Sequence, residues 1–531
     1  MDFDRVLEKC GNFSRYQFLL MCMFGLVNIY SSFHYFSQTI ISFTPNHSCI
    51  NANIPNSSIT NVEKCSLEWV PGNESIVTDG ECTEWSYTKE FGYESISTEL
   101  NWVCDDTVKL AIGQSLFYVG SVFGTILFGY LADKYGRLPA MILSNLSGAV
   151  GDFATSYTYD LTQFAICRFI SGLATDTCFY LMYIMVFEYI RPSKRTFTLN
   201  FITGLFYCVG LMIAPWMAVW VGHWRIYLRV VSTPILAIIM SGLVLCESAQ
   251  WLLTQKKYDE AIKCLKKVAK LNKREVEESV FKEFEEYYRH KAEKEENKSA
   301  DTFIGMFKTP RMRTITIILF VKSMIITLSY DIVSRNMEGL GSSPFVLFSI
   351  TSFCYIPSAL TIMCLQNSIG RKAMAIGSLL LAAVFTTVTG CIIAFRDMET
   401  SAVLLIGMTL LARYGAVMAY EAEAQYGAEL IPTSVRAQGV ANVHVIGYAL
   451  SFLTSYIIFL GQYFKPLPSI ILSVILVIGA VISLLLPETL NRKLPDSLSD
   501  GEKFGVGEKC FDFLTSKGRK GEDNQNVKDV N

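Results

Sequence analysis

The chain has 531 residues, of which 51% are hydrophobic and only 18% charged. A soluble protein carries nearer a quarter charged residues, so three or four water-soluble domains, which the length alone would suit, are set aside. The net charge of −2 adds nothing; how charge is partitioned along the chain says more.

The N-terminal stretch MDFDRVLEKC is acidic, and the apolar run after it is too long for a signal-peptide core. It is read as a short segment, 1–16, leading into a retained first helix. Twelve segments can cross a hydrocarbon core of about 30 Å, which takes about 20 helical residues. They fall near 17–42, 107–131, 139–158, 162–190, 197–219, 225–246, 314–333, 344–365, 372–394, 401–425, 438–462 and 467–486. Open sheet edges cannot face lipid, so an all-α membrane protein of twelve spanning helices is expected. The layout is a six-helix bundle over 17–253, a linker over 254–313, a second six-helix bundle over 314–486 and a tail over 487–531.

The first loop, 43–105, holds ten Asp/Glu, two Lys and no Arg. The short turns after segments 2, 4, 8 and 10 instead carry Lys134, Arg137, Arg191, Lys194, Arg195, Arg371, Lys372 and Arg436. The positive-inside rule therefore puts these turns and both termini in the cytoplasm, and the acidic loop outside. Four of the fifteen cysteines, Cys49, Cys65, Cys82 and Cys104, lie in that loop. An even count outside the cell implies two disulfides, with three pairings open. Asn46, Asn56 and Asn73 each head a glycosylation sequon there.

The segment 254–313 breaks the apolar rhythm with sixteen Lys/Arg and twelve Asp/Glu. Its amphipathic stretches, such as KKYDEAIKCLKKVAKL, read as cytoplasmic helices. The tail after Pro487 is polar and expected to be flexible.

The halves repeat. Asp133-Lys-Tyr-Gly-Arg137 follows segment 2, and Asn367-Ser-Ile-Gly-Arg371 follows segment 8. Segment 4 holds Arg168 and ends Glu188-Tyr-Ile-Arg-Pro-Ser-Lys-Arg195; segment 10 holds Arg413 and ends Glu429-Leu-Ile-Pro-Thr-Ser-Val-Arg436. A parallel repeat of this kind places a substrate site at the midplane between the halves.

GYLADKYGRLP (129–139) resembles the loop signature of the major facilitator superfamily. More narrowly, FDRVLEKCGNFSRYQ, the Cys-rich loop, RFISG (168–172), ESAQWLL (247–253), AELIPTSVR (428–436) and LPETLNRKLPD (486–496) resemble the organic cation, organic anion and carnitine transporter family, solute carrier family 22. The family's PESPRWLL reads CESAQWLL here, with Cys246 and Gln250 as departures; Leu138 and Asn367 depart from its loop signatures. The resemblance implies an alternating-access carrier whose inner gate is a charged network. Carried over, that assigns gating or structural roles to Asp133, Arg137, Arg168, Glu188, Arg195, Arg371, Glu429 and Arg436. In the family, the position twelve after the last of these tends to be acidic in cation carriers and basic in anion carriers. Here it is Tyr448, with His444 one turn earlier, so this discriminator is silent; His444 is either a proton-linked group or a packing histidine.

Charges inside the spans remain to be placed. A carboxylate at the bilayer centre costs roughly 2.5–3.5 kcal/mol, yet segment 10 contains both Glu421 and Glu423. They stand about 200° apart around a helix, so only one of them faces the substrate path, and Lys322 in segment 7 is a candidate partner for the other. Asp176, Tyr180, Tyr183 and Phe187 form one stripe of segment 4. Its acid and rings suit an organic cation through countercharge and cation–π attraction, or merely pack. Asp331, Arg335 and Glu338 read as a local ion-pair cluster.

No nucleotide-binding loop, metal-ligand spacing or nucleophile constellation is present, so no enzyme, cofactor, nucleotide or nucleic-acid partner is expected. The expected function is a plasma-membrane secondary transporter in the lipid bilayer, working as a monomer, with an oligomer as the alternative, for small organic cations or related zwitterions. Membrane potential alone would drive a cation at roughly 2.3 kcal/mol per 100 mV. The alternatives are an anion or carnitine-like zwitterion carrier using Arg413 or Arg168, and a transport-inactive surface receptor.

Overall fold

The computed structural model describes residues 3–11, 14–52, 58–62, 65–70, 78–175, 177–190, 192–233, 242, 245–295, 303–336, 343–395, 402–490, 492 and 494–511. Asp176, Glu338, Asn56 and Asn73 lie outside them, and the Arg195 side chain is likewise not described.

Helix α1 (Phe3–Cys10) precedes the first long helix, α2 (Arg15–Ile41). The first loop contains four strands, β1 (His47–Ala52), β2 (Ser58–Val62), β3 (Ser66–Val70) and β4 (Thr78–Tyr87), in one antiparallel sheet of order β1-β4-β3-β2. The all-α architecture of the membrane part stands, and the sheet is confined to this loop. Outside the membrane a short sheet with wet edges is permitted, whereas within it the backbone must close on itself. After α3 (Ile96–Glu99), the first half continues with α4 (Val108–Tyr135), α5 (Arg137–Thr155), α6 (Leu161–Gly172), α7 (Thr177–Tyr189), α8 (Pro192–Val221) and α9 (Trp224–Ser232). Three helices, α10 (Ala249–Thr254), α11 (Tyr258–Leu271) and α12 (Glu278–Glu295), make the linker region. The second half has α13 (Pro310–Arg335), α14 (Pro344–Ser352), α15 (Tyr355–Ile369), α16 (Arg371–Ala394), α17 (Ala402–Leu430), α18 (Arg436–Gly447), α19 (Leu453–Phe459) and α20 (Leu467–Ser483), before α21 (Leu498–Lys503).

Each of the twelve apolar segments contains helix, but not each is one uninterrupted rod. Among the described residues, eight helical runs are long and apolar enough to cross a membrane, while Phe179–Tyr189 and Leu467–Ser483 are shorter. The fourth segment is interrupted after α6, whereas the eighth and eleventh continue as helical runs through tighter turns at Phe353–Cys354 and Tyr448–Leu450. Broken helices are tolerated at membrane depth only where protein or a cavity surrounds the freed backbone.

The two faces differ. The sheet marks a loop face; α1, α11 and α21 mark the opposite, linker face. There Asn272 at the end of α11 ties the N-terminus down: it accepts from the Tyr16 amide at 2.8 Å and donates to the carbonyls of Cys10 and Gly11 at 3.1 and 3.3 Å. The start of the tail is also fixed rather than free. Glu502 accepts from the Arg311 and Met312 amides at 3.1 and 2.9 Å, capping α13.

Candidate functional site

At the linker face the repeat is a structural one. Gly136 and Gly370 both adopt left-handed backbone (φ 116° and 100°) immediately before α5 and α16. Each new helix N-terminus meets a carboxylate from far along the chain. Glu247 accepts from the Arg137 and Leu138 amides at 2.9 and 3.2 Å, and Glu488 accepts from Arg371 and Lys372 at 3.0 and 3.1 Å. A carboxylate here satisfies orphan N–H groups and opposes the helix dipole. Burial pushes the Glu247 carboxyl above its usual range, and the Ser248, Leu138 and Arg137 amides pull it back. The neighbouring acids are paired too: Ser248 donates to Glu188, and Thr489 donates to Glu429 at 2.5 Å.

Glu429 also meets Arg371 at 3.1 Å, Arg137 meets Asp133 at 2.7 Å, and the Arg436 guanidinium donates to the Ile431 carbonyl at 3.2 Å. These residues, which the resemblance assigns to an inner gate, thus find these partners within their own half. Arg168 stands apart from them. It is buried in the loop-side part of the first half, bonded to Asp152 at 3.1 Å, while Asp152 also meets His34 at 2.6 Å and accepts from Ser171 at 2.6 Å. All three charged or ionisable side chains of this triad are fully buried. His34 was not singled out in the sequence, because its partners lie 118 and 137 residues away.

The loop face is where the halves are latched. Tyr35 of α2 donates to Asp331 of α13 at 2.5 Å, and Arg335 reaches back to Thr39 and the Tyr35 carbonyl at 2.6 and 2.9 Å. Asp331 and Arg335, 3.9 Å apart, are therefore part of an interface and not only a local pair. Ser115 donates to the Phe452 carbonyl at 2.9 Å, and Phe36 and Phe348 rings meet edge-on at 5.1 Å. Above the latch lies a pocket of ≈ 160 Å³ lined by Gln38, Gln114, Arg335, Phe345 and Phe459.

Between these two levels runs a chain of rings. Phe24, Tyr183 and Tyr180 lead to His444 (Tyr180–His444 6.1 Å) and on to Tyr448 (5.5 Å), crossing from α7 to α18. Tyr180 and Tyr183 are half-buried and Tyr448 is buried. Tyr330, Tyr355 and Tyr420 continue the aromatic lining in the second half.

The two glutamates of α17 separate here. Glu423 forms an ion pair with the fully buried Lys322 of α13, whose ammonium also lies 4.5 Å from the Tyr426 ring centre. Glu421 is half-buried and, among the described residues, has no ion pair or hydrogen bond. Arg413, two turns earlier on the same helix, is fully buried and donates to Thr351 at 2.7 Å.

In the strand-bearing loop the cysteines pair as Cys49–Cys82 and Cys65–Cys104, with Cα separations of 5.8 and 5.7 Å. Asn46 is exposed beside β1.

Comparison with known proteins follows this architecture. A family model described as Sugar (and other) transporter matches residues 19–497. The chain is 26% identical to the organic cation transporter protein of Drosophila melanogaster, over 95% of both chains. It is 27% identical to organic cation transporter 1 of Caenorhabditis elegans, over 95% of this chain and 89% of that one. It is 25% identical to human solute carrier family 22 member 13, over 94% and 93%. The inward-open xylose transporter XylE from E. coli superposes with a TM-score of 0.59 at 14% identity, over 92% of this chain and 98% of that one, which shows the major facilitator fold. The resemblance carried by the loop motifs and the match over most of the chain agree: this protein belongs to the Sugar (and other) transporter family.

Proposed function

We propose that this transporter moves small organic cations, choline-like quaternary amines, biogenic amines or related zwitterions, by alternating access. The observation that carries the reading is Glu421: a half-buried carboxylate in a spanning helix with no partner among the described residues. An unpaired acid at such depth is costly and marks a functional site by default. A cargo cation would neutralise it, and the rings of Tyr180, Tyr183, Tyr420 and Tyr448 offer faces to an ammonium group. Glu423 is held by Lys322 and is the structural member of the pair. The names of the organic cation transporters from fly and worm support the same cargo class.

The loop face is the extracellular one in this reading, because it carries the disulfides and Asn46, and the linker face with both termini is cytoplasmic. The latched loop face and the pairing of Glu429, Arg371, Arg137 and Asp133 within their own halves support an inward-facing carrier, which we place in the plasma membrane.

The test is uptake of labelled choline, carnitine, histamine, β-alanine and an aromatic anion in expressing oocytes, with Glu421→Gln, Glu423→Gln and Asp176→Asn beside the native chain. Cation uptake that falls on depolarisation and is lost in Glu421→Gln is expected. Cation uptake that survives Glu421→Gln unchanged sinks the assignment of the site. Failure of the whole panel despite normal surface delivery would favour a receptor.

A further inference from the structure

We infer that Arg413 is an anion subsite in the second half: it binds the carboxylate of a zwitterionic cargo or a co-bound halide. The inference rests on reading α17 as a wall of the translocation path.

The argument is a comparison between the halves. Arg168 and Arg413 are both fully buried, and each lies on the repeat's fourth helix of its half. Arg168 is neutralised by Asp152, which stands fifteen residues after Arg137. Fifteen residues after Arg371 stands Thr386. Ser171, three after Arg168, bridges the same carboxylate; three after Arg413 is Ala416. His34 lies twenty after the N-cap Ser14 of α2, and twenty after the N-cap Thr309 of α13 is Ser329. The acid and the imidazole are thus both replaced by hydroxyls, while the arginine is kept.

The consequence is visible in the bonds. Arg413 makes one described hydrogen bond, to a neutral hydroxyl, and its Nε and Nη2 are buried without a partner. The hydroxyls of Ser329 and Thr386 are likewise buried and unbonded. Two unbonded guanidinium nitrogens and no negative charge are what an anion needs, and a buried guanidinium left without one is strongly destabilising. Glu421 lies eight residues further along α17, about 12 Å of helix rise. That separation exceeds the span of one small zwitterion such as glycine betaine, so Arg413 and Glu421 mark separate anion and cation positions along one helix.

Thermal unfolding of the full chain in detergent tests this, with chloride against gluconate and with glycine betaine against choline as probes. Chloride or betaine is expected to raise the melting temperature of the native chain and of Arg413→Lys, and not of Arg413→Gln. Thr386→Asp supplies the missing carboxylate from within and should also abolish the shift. A shift with betaine alone identifies the cargo carboxylate; a shift with chloride identifies a halide. Absence of any shift in the native chain, or its persistence in Arg413→Gln, overturns the inference. In uptake, Arg413→Gln should lower the betaine-to-choline ratio about 10-fold or more. Loss of choline transport in Glu421→Gln is a separate result, so the cation reading and the anion subsite fail independently.

Discussion

Tyr35 and Asp331, 296 residues apart, share a 2.5 Å hydrogen bond that joins the two halves of the transporter at the loop face. Hydrogen bonds to a charged group contribute about 1.5–3 kcal/mol, so this contact holds a measurable part of the closed loop-face state. Tyr35→Phe keeps the ring that packs against Phe36 and Tyr118 and removes only the donor. It should shift the balance towards the loop-face-open state by about 10-fold or more. The readout is the rate at which an impermeant maleimide labels a cysteine placed at Gln114, which is 4% exposed at the loop-face pocket. An unchanged labelling rate would show that the bond does not latch the halves.

Lys322 and Glu423 make a second, independent prediction. Removing one partner of a buried ion pair leaves an uncompensated charge and costs about 3–5 kcal/mol, whereas replacing both by apolar residues is close to neutral. Lys322→Met and Glu423→Leu should each reduce the folded, surface-delivered fraction sharply. The double variant should recover most of it. Recovery would also separate Glu423 from Glu421, because Glu421→Gln removes a carboxylate with no described partner and should leave melting temperature unchanged or raise it.

Much of this was legible in the sequence, and the limits follow from range. The Gly-Arg turns and the apolar runs are local patterns, and among the described residues they map onto turns and helices of the structure. The choice between Glu421 and Glu423 was not local. Helical geometry said that they diverge, but only the packing of α13 against α17 shows that Lys322 takes Glu423. The His34–Asp152–Arg168 triad joins three helices and carries no spacing signal. The loop sheet was hidden for a different reason: β1, β2 and β3 are only five or six residues long, and the β1–β4 and β2–β3 pairings carry register irregularities, so alternation is too brief to read.

The disulfides interlock, first cysteine with third and second with fourth. Each closes a chain separation of 33 or 39 residues, and a loop of that size contributes about 3–4 kcal/mol in the chain-entropy picture. Peptide mapping of the unreduced protein should return Cys49 linked to Cys82 and Cys65 linked to Cys104. Recovery of either other pairing would contradict the loop structure. Cys49→Ser alone should destabilise the loop as much as Cys49→Ser with Cys82→Ser, since the bond is lost in both.

Glu247 and Glu488 give the last prediction, because they do the same work in two halves. Each accepts from two successive amides at the start of a spanning helix, in the space that a side chain at the preceding glycine would occupy: a Cβ on Gly136 meets Glu247, and one on Gly370 meets Glu488. Losing such a cap costs about 0.5–2 kcal/mol, and the loss of favourable charge at a helix N-terminus up to about 2 kcal/mol. Glu247→Gln and Glu488→Gln should therefore each lower the melting temperature, and their effects should add, since distant sites without shared partners are independent. Gly136→Ala and Gly370→Ala should cost more than either. They strain the left-handed backbone by roughly 1–2 kcal/mol and displace the capping carboxylate as well. Matching losses in the two halves are expected from the repeated geometry; a large effect in one half with none in the other would show that the two turns, though built alike, do not bear equal weight.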